Sequence, residues 1–475
     1  MANPDRLTGL DASFLALEDS GAHMHIGSVA IFEGEAPAYE DFVSHLERRL
    51  HLVPRYRQKL AFPPIVEARP VWVDDPHFNP GYHIRHTALP DPAGEAELAA
   101  LAGRVFAQRL DRSKPLWELW LVDHVAEDRF AIISKTHHCL VDGVSGVDIA
   151  TVLFDLDADP PAIDQPDRPW VPRPEPSGAS LLADAVVERA SAPLDALRAL
   201  ESTARGAQGA ATRALGALSG VGSVLKAGLG APPSPFNGPI GPHRCFRWVA
   251  ADLDRFKGIK NGLGGTVNDV VLAGVTGALR AYMLEHDHPV EGVELKAMVP
   301  VSVRAEAERG ALGNRVSTMY APLPVGLSDP LERFEVVRDA MAGLKESGQA
   351  VGADVLTKLT GFAPPTVMAQ AARLQGRQRF FNLTVTNVPG PQFPLFLMGR
   401  ELEVIHPQVP LARNTALGIA IMSYNGGLNF GLISDFDSLG DLDVVAAGLD
   451  VAIEELADLA GLPSRAPTRR RTVKS

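Results

Sequence analysis

The stretch DADPPAIDQPDRPWVPRPEPSG, residues 157–178, narrows the folding options of this chain more than any other feature. Proline lacks an N–H and fixes its own φ, so neither a helix nor a central strand runs through such a segment. It reads as a linker between two blocks that look alike in texture. In the first block, MHIGSVAIFEG is a strand and YEDFVSHLERRLHLVP an amphipathic helix ending at Pro54. PLWELWLVDHV and RFAIISKTHH are two strands joined by an acidic turn at Glu127 and Asp128.

After the linker, residues Ala179 to Leu229 are rich in Ala, Leu and Gly and poor in aromatics. They read as one or more helices. A bridging helix is preferred over a lipid-touching surface, because aromatic and basic anchors are missing. The second block begins near Ile240. GGTVNDVVLAGVTGALRAYMLEHD and DPLERFEVVRDAMAGLKESG are helices, while ELKAMVPVSVR, NRVSTMYAPLPV and FFNLTVTNVPGP are strands. In NTALGIAIMSYNGGLNFGLIS two apolar runs flank Asn425 to Gly427, which predicts a β-hairpin rather than a membrane span.

The expected class is therefore α/β, with mixed sheets and packed helices. Its predicted parts are 1–162, a helical linker at 163–239, a second unit at 240–463 and a basic disordered tail at 464–475. A length of 475 residues suits two or three domains. A net charge of -12 argues against nucleic acid as the main partner. The two cysteines, Cys139 and Cys245, form no disulfide framework, which fits a reducing compartment. The N-terminus carries acids where a secretory leader needs an apolar core, so a cytoplasmic location is expected.

The chemistry concentrates in KTHHCLVDGVSG, Lys135 to Gly146. Period two places Phe130, Ile132, Ser134, Thr136 and His138 on one strand face, and Ala131, Ile133, Lys135 and His137 on the other. The two histidines should point opposite ways, and periodicity alone does not choose between them. Asp142 follows as N-cap of the next helix or as partner to a buried Arg, with Gly143 and Gly146 allowing tight backbone. H-x-x-x-D alone is weak, since His124 and Asp128 repeat it in a turn. H-H-x-x-x-D-G at a strand-to-helix junction is far rarer. A metal site lacks a third nearby ligand, and a Ser hydrolase lacks the G-x-S-x-G elbow. What remains is a histidine base without a protein nucleophile, suited to transfer between two bound substrates.

Several stretches together resemble the bacterial wax ester synthase/diacylglycerol acyltransferases. They are LDASFLALE, HMHIGSVAIFEG, the Pro115–Trp117 motif, HHCLVDG, Asn268 with Asp269, VPVSVR, LGNRVST and TNVPGP. The resemblance runs from about Leu10 to Leu462. It implies two chloramphenicol acetyltransferase-like domains, with a channel between them that admits acyl-CoA and an acceptor alcohol from opposite sides. It implies His138 as general base, His137 as support, and Asp142 and Gly143 as supports of the site. Arg304 is the implied partner of Asp142. Asn268 is a candidate for oxyanion or substrate contact, whereas Asp269 has a capping-box explanation with Thr266. Trp117 should pack beneath the site, and Cys139 need not be a nucleophile.

The implied reaction joins a long-chain acyl group from acyl-CoA to diacylglycerol, giving triacylglycerol, or to a fatty alcohol, giving a wax ester. Acyl-CoA is a co-substrate, and no bound cofactor or metal is expected. The Ala/Leu-rich linker and the basic tail are candidates for peripheral contact with a membrane or lipid droplet. The alternatives are a carrier-protein acyl donor, a thioesterase, and a non-catalytic lipid-binding or droplet protein.

Overall fold

The computed structural model describes residues 5–19, 21–64, 68–126, 128–140, 152–187, 230–302, 316–346 and 380–463. Asp142, Gly143 and Arg304 lie outside the described residues, as do residues 188–229 and the basic tail. The first part of the chain forms α1 (Gly9–Leu17), β1 (His25–Glu33), α2 (Tyr39–Glu47), β2 (Gln58–Ala61), β3 (Val71–Asp74), α3 (Pro80–His83), β4 (Ile84–Ala88), α4 (Glu95–Ala107), β5 (Trp117–Val125) and β6 (Arg129–His137). The second forms β7 (Arg244–Asp252), α5 (Leu253–Leu263), α6 (Val267–Glu285), β8 (Leu295–Ser302), β9 (Val316–Leu323) and α7 (Pro330–Glu346). It continues through β10 (Leu383–Pro389), β11 (Phe396–Leu397), β12 (Arg400–Gln408), β13 (Leu417–Tyr424), β14 (Gly427–Asp435) and α8 (Leu442–Leu459).

Local chemistry accounts for many of these boundaries. Thr8 caps α1 by accepting from Asp11 N–H at 3.1 Å. Thr266 and Asp269 form the expected capping box at α6, with Thr266 N–H donating to Asp269 at 2.7 Å. The predicted hairpin is β13–β14, closed by Asn425 and Gly426 at φ 42° and 84°. Two positive φ values in a two-residue loop match the twist of the flanking strands. The helix expected to run to Pro54 stops at Glu47 and gives way to tight turns at Leu50–Leu52 and Pro54–Arg57. There the buried Arg49 donates to Asp155 at 2.6 Å, tying the turn to a distant part of the chain.

Two six-stranded sheets organise the molecule, in the orders β11-β12-β1-β6-β5-β4 and β7-β14-β13-β10-β8-β9. Each is mixed. β4 runs parallel to β5 in the first, and β10 runs parallel to β13 and β8 in the second. The fold is thus α/β with mixed sheets and packed helices, as the sequence patterns indicate. The sheets do not follow a plain division of the chain, because β11 and β12 leave the second half and pair onto β1 of the first sheet.

Side-chain alternation assigns the faces. Phe130 and Ile132 of β6 join the outer core of the first sheet with Phe42 and Leu46 of α2. Ala131 and Ile133 join an inner core with Ala102 and Phe106 of α4, and with Phe246, Ala420 and Ile433 of the second sheet. Helices α5 to α8 cover the other face of the second sheet through Phe256, Val271, Phe334 and Leu449. The inner core therefore fastens the two sheets together, and the end of β6 lies beside that seam.

Candidate active site

The two adjacent histidines sit where β6 ends. His137 N–H donates to Leu116 O at 2.9 Å, and His138 N–H donates to Met24 O at 2.7 Å. Leu140 N–H then donates back to His137 O at 2.9 Å, which closes a turn over His138 and Cys139. Neighbouring chain on either side of β6 thus fixes the backbone that carries both rings. Their surroundings differ, as a period-two strand demands.

His138 is half-buried, and its ring stacks on Phe14 of α1 with centroids 3.9 Å apart. Its Nδ1 is sealed from solvent and bonds to no other residue among those described. Burial pushes its pKa below the ordinary value, only partly offset by contact with its own carbonyl. The imidazole is therefore neutral at neutral pH, the state a base requires.

His137 is 1% exposed and faces a cluster of charged groups. Its Nδ1 accepts from Cys139 N–H at 3.1 Å, and its Nε2 faces Glu18 Oε1 at 3.7 Å. Burial pushes its pKa down to about 3 against the pull of Glu18, with His25, Arg112 and His138 adding to the depression. Glu18 itself is 2% exposed at the side chain. It accepts from Arg112 Nε at 3.0 Å and Arg109 Nη2 at 3.2 Å, and lies 3.5 Å from His25 Nε2. Burial alone would raise the Glu18 carboxyl, but His25, His137 and Arg112 outweigh it and hold the group well below the usual range. Glu18, His23, His25 and His137 do not converge as a metal-holding group, and none was found among the described residues.

The segment carrying Glu18 is tied to the second half of the chain. Arg413 pairs with Asp19, and Arg244 donates to Gly21 O. Arg244 also pairs with Asp435 at the end of β14, at 3.5 Å. One loop thus touches the histidine pair and the seam between the sheets.

Trp117 is buried, donating from Nε1 to Tyr56 O at 2.8 Å and stacking on His83 at 4.6 Å. It lies opposite Thr136 in the β5–β6 register, next to the strand end that bears the histidines. Lys135, on the His137 face, is fully buried. It pairs with Glu118 at 3.2 Å and donates to Val105 O and Gln108 O at 2.9 and 3.0 Å, which closes the end of α4. Cys139 is buried, and burial raises its thiol well above the ordinary range, as a packed side chain would be. The decoy His124 is exposed at φ 52°, in an irregularity of the β5–β6 pairing.

Asn268 is half-buried in the first turn of α6, and no hydrogen bond joins it to either histidine among the described residues. Asp269 beside it is consumed by the capping box. Phe14, Glu18 and His25 were not singled out from sequence, although they sit inside the stretches LDASFLALE and HMHIG. One signal was available. His25 begins a strand in the alternating pattern, and the register sets it opposite His137.

Residues 7–271 match the model of the wax ester synthase/diacylglycerol acyltransferase catalytic domain, and residues 312–457 match that of the WS/DGAT C-terminal domain. A probable diacylglycerol O-acyltransferase of Mycobacterium tuberculosis is 33% identical over 472 residues, covering 98% of each chain. The solved wax ester synthase/diacylglycerol acyltransferase from Marinobacter aquaeolei VT8 is 27% identical, with a TM-score of 0.66 over 96% of this chain and 100% of that one. The first condensation domain of the CDA synthetase shares the fold, with a TM-score of 0.58 at 16% identity over 97% of each chain. With a matching catalytic-domain model across more than half its length, and relatives aligned almost end to end, this chain belongs to the wax ester synthase/diacylglycerol acyltransferase family.

Proposed function

We propose that the protein is an acyl-CoA-dependent O-acyltransferase that moves a long-chain acyl group from acyl-CoA to diacylglycerol, forming triacylglycerol. Fatty alcohols are the second acceptor class, giving wax esters. The observation that carries this reading is the state of His138. It is a neutral imidazole on a backbone turn pinned by Met24, with Nδ1 shut away so that Nε2 is left to meet a substrate.

His138 Nε2 takes the proton of the acceptor hydroxyl as its oxygen attacks the thioester carbonyl. The tetrahedral oxyanion collapses with cleavage of the carbon–sulfur bond. The departing CoA thiolate takes back the same proton from His138. No acyl-enzyme forms, so Cys139 has no covalent part. Asn268 is assigned a contact with the oxyanion or a substrate. Asp142 and Gly143 are assigned support of the site, with Arg304 as the candidate partner of Asp142.

The substrates are apolar, so the enzyme works against a membrane face or lipid inclusion as a peripheral protein of the cytoplasm. No helix among the described residues is long and apolar enough to cross a membrane. Leu182, Val186 and Val187 are exposed on helical residues 178–187, which supports lipid contact through this part of the linker.

The test is free-thiol release from palmitoyl-CoA with diacylglycerol, with hexadecanol, and with neither, for wild type and His138→Ala. Acceptor-dependent release that falls by about 10²–10⁴ in the variant is expected. Equal release without acceptor would mean a thioesterase instead.

A further inference from the structure

We propose that Glu18 is a positioning residue for the histidine pair, fixing His137 in the tautomer that holds the turn carrying His138. The inference rests on the acyl-transfer reading of His138 and deepens it.

The geometry runs through three contacts. His137 Nδ1 accepts the Cys139 N–H at 3.1 Å, so a neutral His137 carries its proton on Nε2. Among the described residues that Nε2 is buried without a hydrogen-bond partner, and it faces Glu18 Oε1 at 3.7 Å. A carboxylate there favours the N–H end of the ring. The opposite tautomer would turn a lone pair toward Glu18 and break the bond to Cys139. Cys139 follows His138 directly, so the orientation of the His137 ring is transmitted to the backbone on which the base stands.

Glu18 is itself held in place. Arg112 donates to Oε2 from Nε at 3.0 Å and from Nη2 at 2.5 Å, and Arg109 Nη2 donates at 3.2 Å. Arg112 Nη2 also donates to Leu15 O at 2.9 Å, tying the pair to α1. The groups facing this carboxylate are therefore His25, His137, Arg109 and Arg112, with His23 stacked behind His25 at 5.6 Å. His25, His137 and Arg112 keep Glu18 ionised, and the two arginines aim it through Oε2. They leave Oε1 to the imidazoles. A carboxylate that orients a histidine from behind, without touching substrate, is a recurring way to fix a tautomer.

The first test needs no substitution. In wild-type protein labelled with ¹⁵N-histidine, the long-range ¹H–¹⁵N imidazole spectrum reports the tautomer of each of the 14 histidines. His137 is assigned by the signals lost in His137→Asn. The proposal expects the Nε2–H form at pH 7, and an Nδ1–H form would overturn it.

The second test is kinetic. Glu18→Gln should lower kcat about tenfold or more, within the ~10²–10⁴ that a base supplies, with KM for palmitoyl-CoA little changed. Glu18→Asp should restore part of the loss. In a His137→Asn background Glu18→Gln should cost nothing further, because the two act as one unit. Additive losses in kcat would overturn the proposal. If Glu18→Gln does not fold, the wild-type tautomer decides alone. A wild type inactive with every acceptor would instead defeat the acyl-transfer reading, while the tautomer measurement stands.

Discussion

Phe14 lies almost flat on His138, with ring centroids 3.9 Å apart and planes 24° from parallel. The stack covers one face of the imidazole and keeps water from it. It also limits the ring to orientations compatible with the pinned turn. Burial is the leading cause of the lowered His138 pKa, so Phe14 helps to keep the base neutral.

Phe14→Ala should therefore act on pH dependence as well as rate. Exposing the ring lets its pKa rise toward the ordinary 6.5, and the acid limb of kcat/KM moves to higher pH. A loosened base should also cost about tenfold or more in kcat at neutral pH, since misplacement by 1 Å costs up to ~10². Phe14→Leu keeps most of the cover and should leave the limb in place. Steady-state pH profiles of the three proteins check this. An unmoved limb in the alanine variant would show that Phe14 does not control the protonation of His138.

Gly431 marks a close approach of the two sheets. A Cβ there would stand 1.7 Å from Pro407 O, with the Phe246 ring at 3.3 Å. Gly431 is in β14 and Pro407 in β12, the strand lent to the first sheet. Backbone, not a flexible side chain, blocks the added atom. Gly431→Ala should push these strands apart and cost about 3 kcal/mol or more, at or beyond the usual range for overpacking. Urea denaturation should show a lower midpoint. A midpoint equal to wild type would mean that the seam yields freely.

Local rules made much of this readable in advance. Asn425 and Gly426 announced a hairpin because few residues accept two consecutive positive φ values. Thr266 and Asp269 announced the start of α6 because a capping box is encoded within four residues. Alternation along β6 separated Ile132 from Ile133, and the structure puts them in different cores. What was hidden depends on partners far away in the chain. β12 reads as an ordinary strand of the second half, and only its pairing of Val29 with His406 shows which sheet it completes. Glu18 was hidden for the same reason. An acidic residue after a short helix looks like solvated surface until β1 brings His25 beside His137. The helix α4 passed unremarked, although it carries Phe106 into the inner core. Arg304 and Asp142, a pairing the resemblance implies, both lie outside the described residues.

His406 opens the question of acid stability. It is 1% exposed on β12, its Nδ1 has no partner among the described residues, and its ring stacks on Trp248 at 4.8 Å. Burial pushes its pKa to about 3. Burial likewise takes His23, His45 and His83 to about 4, and His137 to about 3. An unfolded histidine takes its proton near 6.5, so below that pH the unfolded chain binds more protons than the native one. Stability then rises with pH and falls with acid. The contribution is complete above pH 6.5. It is lost as pH falls, down to about 4 for His23, His45 and His83 and to about 3 for His137 and His406. Glu18, held below its ordinary 4.5, adds a loss of the same sign below that pH. The melting temperature should therefore drop steeply between pH 7 and pH 5. His406→Phe isolates one member of the set. It replaces an unsatisfied buried polar ring with an apolar one of similar shape, which is neutral to about 1 kcal/mol stabilising at pH 7. Below pH 6.5 its advantage over wild type should grow by up to about 1.4 kcal/mol per pH unit, because one proton no longer separates the unfolded from the native state. Denaturant melts at pH 7, 6 and 5 read this slope directly. Parallel slopes in variant and wild type would mean that His406 is not held neutral in the fold.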